Sequence, residues 1–483
     1  MIKIETHFKT GLLYTAVGKF SGLFTNFLVS VILSRILSPE DYGIVAIVQV
    51  FILFFQMLIE AGMGPAIIQK KDLLRRDISI LFNYSVILAI ILSVSFGIFG
   101  NALSMFYNNK IYIKIAWIQS LSIFFNGLNV VPTALLNKEK KFRELNFNQI
   151  IAGIISSTVG ISLALMGVGV YSLIWTAIIQ SIIYLMMNLV KVKMYFIFKL
   201  DFKVLRKILS FSINQFAFNF INYFSRNADN MLVGRYIGAT ALGNYSKAYQ
   251  LLMMPNSVFL GIIGPVLQPI LSDYQDDTMI IKKTYLKIVK FLALVGMPLS
   301  VFLSIFAKDV IFFVFGAQWS DAVFPFRSLA CTVWIQMTLS STGAIFQARN
   351  KARELFITGV ISACILVTSI AVGVSTNNLD VLSLILTVAF FVNYFVNFSR
   401  VMRLALNDNL LTMLKELKSP FLIAILEIFT LLIVKYFLSE NFNVFINLLI
   451  SGVIFVVTFI FGLYFTKELK NFLKIVNVKG NSK

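Results

Sequence analysis

The sequence is poor in charge. Only 13% of its 483 residues are charged, whereas 58% are hydrophobic. In a soluble globular protein about a quarter of the residues are charged. A water-soluble fold of this length could not bury so much apolar surface. This composition excludes soluble enzymes, nucleic-acid-binding proteins and secreted scaffolds. It predicts a polytopic membrane protein.

Histidine and cysteine are nearly absent. The single histidine, His7, lies in the polar N-terminal segment, and Cys331 and Cys364 lie in apolar runs. Their spacing suggests neither a metal site nor a disulfide framework, so we expect no metal and no other cofactor. The loops are too short to fold as separate catalytic domains and carry no catalytic constellation. We therefore expect that the chain is not an enzyme.

Long apolar runs are abundant instead. A transmembrane helix needs about 20 apolar residues. About 14 runs meet that criterion, and we number them as spans 1–14: 10–36, 41–68, 78–105, 111–136, 147–167, 169–195, 208–237, 240–270, 286–314, 321–346, 353–375, 379–401, 418–438 and 443–466. The first run is too long for a signal peptide and lacks a cleavage pattern, which predicts a retained span. The predicted fold is all-α and polytopic.

The basic residues are unevenly distributed between the loops. If the N-terminus is inside, 32 of the 42 lysines and arginines fall on the inner face, 6 on the outer face and 4 within spans. Because Lys-rich and Arg-rich loops stay in the cytoplasm, we expect both termini there. The net charge of +20 has the same origin and requires no nucleic acid. Trp117, Trp175 and Trp319 would lie at the outer interface.

A shift of 200 residues aligns the two halves of the chain. It matches uncommon residue types at equivalent places: Arg35 with Arg235, Gly43 with Gly243, Gly64 with Gly264, and Pro65 with Pro265. The pattern predicts two parallel repeats about an axis along the membrane normal, as in many transporters. Coincidence is the alternative. The predicted domains are an N-lobe (1–195, spans 1–6), a C-lobe (208–401, spans 7–12), an added helix pair (418–466) and a basic cytoplasmic tail (467–483).

Two Gly-Pro steps fall at equivalent cytoplasmic ends of spans 2 and 8. They are Gly64–Pro65 and Gly264–Pro265. A Gly-Pro step disturbs helix regularity, so each is a candidate hinge for two rocking lobes. Plain helix termination is the alternative interpretation.

Two stretches carry a family resemblance. They are LVSVILSRILSPEDYGIVAIVQVF at residues 28–51 and SRNADNMLVGRYIGATALGNYSKAYQL at residues 225–251. Both resemble polysaccharide exporters of the multidrug/oligosaccharidyl-lipid/polysaccharide flippase superfamily, of the O-antigen, colanic acid and teichuronic acid type. By span count and loop charge the similarity extends over residues 5–400.

The resemblance implies a fold, a function and a set of partners. The fold would be two six-helix lobes around a central cavity, with spans 13 and 14 guiding a lipid tail. The function would be flipping of undecaprenyl-diphosphate-linked oligosaccharide from the inner to the outer leaflet of the bacterial cytoplasmic (inner) membrane, for O-antigen, capsule or exopolysaccharide synthesis. Membrane lipids, a polysaccharide polymerase and a chain-length regulator are the further partners it implies.

Charged and amide residues inside the spans are candidates for contacts with such a substrate. Lys and Arg bind phosphate oxygens, and a charge facing lipid costs at least about 2.5–3.5 kcal/mol, so these groups should face the interior. Candidates for the diphosphate and sugar cavity are Lys19, Arg226, Lys247, Asn219, Asn222, Asn230 and Gln250. Glu60 and Asp229 are candidates for proton or ion coupling or for ion pairing, with Lys19 and Glu60 as one predicted pair. The alternative is purely structural ion pairs and interhelical hydrogen bonds.

Three other functions compete with this one. A cation-coupled multidrug-type exporter of the same superfamily normally has about 12 spans, so spans 13 and 14 argue against it. A peptidoglycan lipid-precursor flippase would share the cationic cavity. A membrane polymerase or ligase would need a large outer loop, which the sequence lacks.

Overall fold

The computed structural model describes residues 21–60, 63–70, 73–192, 199–202, 223, 227–272, 274–275, 277–438 and 443–476. Within these ranges the regular backbone is helical, and no strand occurs. The prediction of an all-α polytopic membrane protein is confirmed.

The first half of the chain forms nine helices within the described ranges. They are α1 (Ser21–Ile36), α2 (Pro39–Glu60), α3 (Met63–Gln69), α4 (Arg75–Tyr107), α5 (Ile111–Lys138), α6 (Phe142–Leu165), α7 (Val170–Lys191), α8 (227–236) and α9 (Ala239–Ser272).

The second half continues with shorter pieces between long helices. The α-helices are α10 (Thr278–Ile305), α11 (Ala307–Val314), α12 (Val323–Ala330), α13 (Val333–Leu339), α14 (Thr342–Ala348), α15 (Ala352–Ser375), α16 (Leu379–Arg400), α17 (Leu410–Glu416), α18 (Lys418–Leu438), α19 (Val444–Phe465) and α20 (Leu469–Val476). A 3₁₀ turn (Ala317–Ala322) precedes α12, and a π turn (Val401–Ala405) ends α16.

Ten helical stretches in the described ranges are long and apolar enough to cross a membrane. An eleventh is a bent pair, Ala317–Ala330 and Val333–Ala348, whose axes differ by 53°. It coincides with predicted span 10, so this stretch is bent and is not one straight helix. The predicted number of fourteen spans is not confirmed, and span 7 lies mostly outside the described residues.

The corner between α1 and α2 follows from a local sequence signal. The backbone N–H of Ser38 donates to the Asp41 carboxylate (3.0 Å), and the backbone N–H of Asp41 donates to the Ser38 hydroxyl (3.2 Å). This reciprocal pair satisfies two donors that the start of a helix leaves free, and Pro39 occupies the first helical position, where its missing N–H costs nothing. The stretch Leu37–Asp41 therefore ends one helix and starts the next.

Helices α2 and α9 approach closely at two glycines. A Cβ added to Gly43 would overlap the backbone carbonyl of Ala239, and one added to Gly243 would overlap the backbone carbonyl of Pro39. Small residues permit such backbone contact between membrane helices. The two glycines are 200 residues apart in the sequence.

A chain of buried amides links α5, α6 and α7. The Asn148 amide donates to Asn188 Oδ1 (2.8 Å), and the Asn188 amide donates to Asn129 Oδ1 (3.0 Å). Each of these three residues is at most 5% exposed. Hydrogen bonds between neutral side chains thus hold these three helices in register.

Contacts divide the chain into two compact units, residues 1–243 and residues 244–483. The division falls inside α9, so α8 belongs to the first unit. In the second unit α10 packs against α12, α13 and α18. The lobe boundaries and the parallel repeat remain predictions, because a division by contacts does not test repeat symmetry.

The two Gly-Pro steps lie in different helical settings. Gly64 and Pro65 are the second and third residues of α3, a position where proline is tolerated. Gly264 and Pro265 lie within the continuous helix α9. Their role as hinges stays a prediction.

Candidate functional site

Four of the predicted cavity residues lie outside the described residues: Lys19, Asn219, Asn222 and Arg226. Of the others on the same stretch, Asp229 and Asn230 lie half-buried on α8 in the first unit. One Asp229 carboxylate oxygen accepts a hydrogen bond from the backbone N–H of Asn230 (2.8 Å). The predicted acid and amide are therefore neighbours, which their positions in the sequence already required.

Glu60 is the last residue of α2, and its side chain is exposed. Its predicted partner, Lys19, lies outside the described residues, so the Lys19–Glu60 pair stays a prediction.

Lys247 and Gln250 lie one turn apart on α9, in the second unit. The Lys247 ammonium donates to Gln250 Oε1 at 3.4 Å, and only 3% of the lysine is exposed. The ammonium Nζ lies 4.8 Å from the centroid of the Phe315 ring and 5.7 Å from that of Trp319. Both distances are within the range of cation–π attraction. We call this arrangement the Lys247 aromatic cage.

The rings of the cage are brought together by a sharp turn after α11. Gly316 has a φ of 105°, a conformation that glycine adopts without steric cost. The turn places the Phe315 and Trp319 rings 5.9 Å apart, and both side chains are fully buried. Trp319 is therefore a packed wall of the cage, whereas Trp117 is 47% exposed.

The two rings of the cage attract the Lys247 ammonium in its charged form. Aromatic faces attract a desolvated cation by about 2 kcal/mol or more. The Gln250 side chain, which accepts the hydrogen bond from Lys247, is exposed. The structure thus brings together two of the predicted residues, Lys247 and Gln250, on one helix face.

Sequence reasoning missed one buried acid. Glu427 lies in the middle of α18, is 0% exposed, and faces the side of α18 that carries the buried residues Ile423 and Leu431. Among the residues that the structure describes, neither carboxyl oxygen has a hydrogen-bond partner. An acid inside an apolar run of 21 residues was visible in the sequence and met the criterion that selected Glu60.

A family described as "Polysaccharide biosynthesis protein" matches residues 32–324 of the chain. The chain is 25% identical over 374 residues to the teichuronic acid biosynthesis protein TuaB of Bacillus subtilis (strain 168), covering 77% of each protein. It is 24% identical over 357 residues to the lipopolysaccharide biosynthesis protein WzxC of Escherichia coli (strain K12), covering 71% of this chain and 70% of the relative.

Two solved structures share the fold. The lipid II flippase MurJ, in an inward closed conformation, superposes with a TM-score of 0.73 and 16% identity, covering 95% of this chain and 99% of that one. An inward-facing multidrug resistance MATE family transporter of the MOP superfamily gives a TM-score of 0.60 and 15% identity, covering 80% of this chain and 98% of that one. Identities this low show the architecture and not the substrate.

Proposed function

The chain belongs to the polysaccharide biosynthesis protein family, and on that premise we propose that it is a flippase for lipid-linked oligosaccharide. It would move undecaprenyl-diphosphate-linked units from the inner to the outer leaflet of the bacterial cytoplasmic membrane by alternating access. The family match over residues 32–324 is the observation that carries this proposal. The names of TuaB and WzxC, which refer to teichuronic acid and lipopolysaccharide biosynthesis, support it.

The architecture suits this task. The head group must cross about 30 Å of hydrocarbon, which requires a polytopic protein with an interior path. The chain supplies at least ten apolar helices in the described ranges, in a fold shared with a flippase structure. Since flipping makes and breaks no covalent bond, the protein acts as a transporter and not as an enzyme.

A multidrug-type exporter is the alternative that the fold alone would allow. The MATE structure matches 80% of this chain, whereas the MurJ structure matches 95%. The family match favours a polysaccharide substrate over a small cation.

The proposed substrate path is lined by the residues predicted from the sequence. In this proposal Arg226, Lys19 and Lys247 bind the diphosphate, because cationic side chains form charge-assisted hydrogen bonds to phosphate oxygens. Asn219, Asn222, Asn230 and Gln250 contact the sugars, and Asp229 or Glu60 carries a coupling proton.

Both termini of the protein lie in the cytoplasm in this proposal, as the loop charges predict. A polymerase and a chain-length regulator receive the product.

The test is deletion of the gene and complementation at native expression. We expect the deletion strain to lose surface polysaccharide and to accumulate lipid-linked oligosaccharide, and the wild-type gene to restore both. Complementation with Arg226→Ala should reduce export about tenfold or more, because hydrogen bonds to charged groups contribute about 1.5–3 kcal/mol. Arg226→Lys should restore part of it, since the charge remains but the planar fork does not.

An Arg353→Ala variant is the matched control, because Arg353 is exposed at the start of α15, away from the predicted cavity residues on the chain. Normal surface polysaccharide without lipid-linked intermediates in the deletion strain would refute the proposed function. Normal export by Arg226→Ala would refute only the diphosphate role of Arg226.

A further inference from the structure

The second unit contains a cavity of about 650 Å³ that the proposed transport path does not use. It lies between the first half of α10, the end of α17 and helix α20. Its lining has two parts. One is a row of three lysines, Lys283, Lys287 and Lys290; the other is an apolar wall that includes Phe291 and Phe472. We call it the α10–α20 pocket.

The lysine row lies on one face of α10. Residues spaced by four and then three positions project from the same side of a helix. Lys290 is engaged: its ammonium is 2.6 Å from Glu468 and 3.3 Å from Glu416. Lys283 and Lys287 are exposed, and the described part of the chain places no carboxylate within salt-bridge distance of either. The positive charge that is free to bind an anion therefore lies on these two lysines.

The acids hold one end of the pocket in place. Burial raises the pKa of the Glu468 carboxyl, but hydrogen bonds from Lys290 and Asn471 outweigh this effect, so the pKa lies below its ordinary value. An ionised Glu468 thus ties the start of α20 to α10. This ion pair neutralises the charge of Lys290, and the charge of Lys287 remains for a ligand of the pocket.

The apolar wall is formed by α20 packing onto the helix bundle. The Phe472 ring stacks on Phe291 at 5.6 Å between centroids. Leu469 and Phe472 pack against a buried cluster of Leu294, Ile423 and Leu463. The pocket thus combines exposed cations at its rim with aromatic and aliphatic carbon at its base.

The position of the pocket suggests the kind of ligand. The predicted apolar span begins at residue 286, so the lysine row straddles the membrane surface. The loop charges predict that this surface is cytoplasmic. Basic pockets at that level bind lipid head groups, and each lysine near an anionic surface contributes about 1 kcal/mol.

We propose that the α10–α20 pocket binds the phosphate head group of a lipid in the adjacent leaflet. Lys283 and Lys287 contact the phosphate oxygens, and Phe291 and Phe472 contact the first carbons of the lipid chain. The shared chemistry is a phosphate ester on an apolar chain. Its source is either a bulk anionic phospholipid or the prenyl diphosphate carrier, and only the second source rests on the proposed function.

Native mass spectrometry of the purified full-length protein would test this proposal. The probes are phosphatidylglycerol and undecaprenyl diphosphate, with phosphatidylcholine and undecaprenol as the corresponding ligands without net negative charge. We expect the Lys283→Gln/Lys287→Gln variant to bind at least one of the two anionic probes about 30-fold more weakly than wild type. Lys283→Arg/Lys287→Arg should bind as wild type does.

The matched control is Lys351→Gln/Arg353→Gln, which removes the same charge from two exposed positions. Selective loss of phosphatidylglycerol binding identifies a bulk-lipid site, and selective loss of undecaprenyl diphosphate binding identifies a carrier site. Unchanged binding of both probes, or an equal loss in the control variant, overturns the proposal. Because the assay measures binding without transport, its failure would leave the proposed function standing.

Discussion

The contacts between helices inside the first unit differ in chemistry from those inside the second unit. In residues 1–243, the most buried of the interhelical contacts described above are made by neutral groups: backbone against backbone at Gly43 and Gly243, and the amide chain through Asn188. In residues 244–483, ionisable groups recur inside or beside the bundle, as Lys247, Glu427 and Lys290 show.

The first kind of contact stabilises the folded protein, whereas a buried ionisable group lowers its stability. Neutral hydrogen bonds and small-residue packing favour the folded state in lipid. An ionisable group inside a membrane protein is expensive, and such groups usually serve transport. We therefore expect substitutions in the first unit to act mainly through packing, and substitutions of buried ionisable residues in the second unit to separate stability from function.

The largest expected effect is at the helix crossing of the first unit. Gly43→Leu places a side chain where the Ala239 carbonyl lies, and the backbone cannot yield as a side chain would. Overpacking typically costs about 1–3 kcal/mol, and here we expect loss of export together with a lower unfolding temperature.

Gly22→Leu is the control for this substitution. Gly22 lies in α1 with no atom within 4 Å of an added Cβ, so leucine should be tolerated there. Full export and wild-type stability of Gly43→Leu would show that α2 and α9 do not form the close contact.

The second prediction concerns the Lys247 aromatic cage. Lys247→Met keeps the length and apolar contacts of the side chain but removes its charge. Replacing a buried charge by a hydrophobic residue of similar volume is often neutral or stabilising. We expect unchanged or higher thermal stability and a reduction in export of about tenfold or more, as for loss of a charged hydrogen bond.

Lys308→Met is the matched control, because Lys308 is exposed and lies 5.6 Å from the Phe312 ring. It removes a cation–π contact of the same type at the surface, where it is worth about 0.5–1 kcal/mol. Should Lys247→Met unfold earlier and export normally, the cage would be a structural contact only.

The third prediction gives opposite signs in the two units. Asn188→Leu strands the amide partners Asn129 and Asn148 and should lower stability by about 1–2 kcal/mol, from hydrogen bonds of about 0.6 kcal/mol each and the cost of unsatisfied groups. Glu427→Leu removes a buried acid without a described partner and should raise stability by about 2 kcal/mol. Thermal unfolding in one detergent measures both, and a loss of stability in Glu427→Leu would show that the acid is bonded.

The smallest expected effect is at the edge of the second unit. The hydrogen bond from Lys282 (2.9 Å), with those from Asn409 and Thr412, lowers the pKa of Asp408 to about 2. The ordinary value is about 3.9, so this contribution to stability is present above pH 4 and is lost as the pH falls through 2. Unfolding temperatures of wild type and Asp408→Asn should therefore converge as the pH is lowered from 5 towards 2. If the difference in unfolding temperature between the two proteins stays constant over this pH range, the lowered pKa of Asp408 is contradicted.

Apolar length and loop charge predicted much of the fold. Predicted spans 12 and 13, at 379–401 and 418–438, correspond to α16 and α18. Hydropathy reports where a run is apolar and not which way it points, so the 53° break within predicted span 10 was not foreseen.

The sequence predicted individual residues of the candidate site but not the contacts between them. Lys247 stands out as an intramembrane cation, but its partners Phe315 and Trp319 are more than sixty residues away and meet it through the Gly316 turn. Likewise the α10–α20 pocket combines a lysine row visible in the sequence with a C-terminal helix whose docking depends on tertiary contacts.

The most direct test of the account is leaflet transfer in vesicles that contain only this protein. A prenyl-diphosphate oligosaccharide with a fluorophore on the sugar would be incorporated in both leaflets, and a membrane-impermeant quencher would then be added outside. We predict that wild-type vesicles lose nearly all fluorescence, whereas vesicles with Gly43→Leu or without protein lose only the outer-leaflet signal. If the inner-leaflet signal of wild-type vesicles stays protected under a proton gradient of either direction and without one, this protein is not a flippase for lipid-linked oligosaccharide.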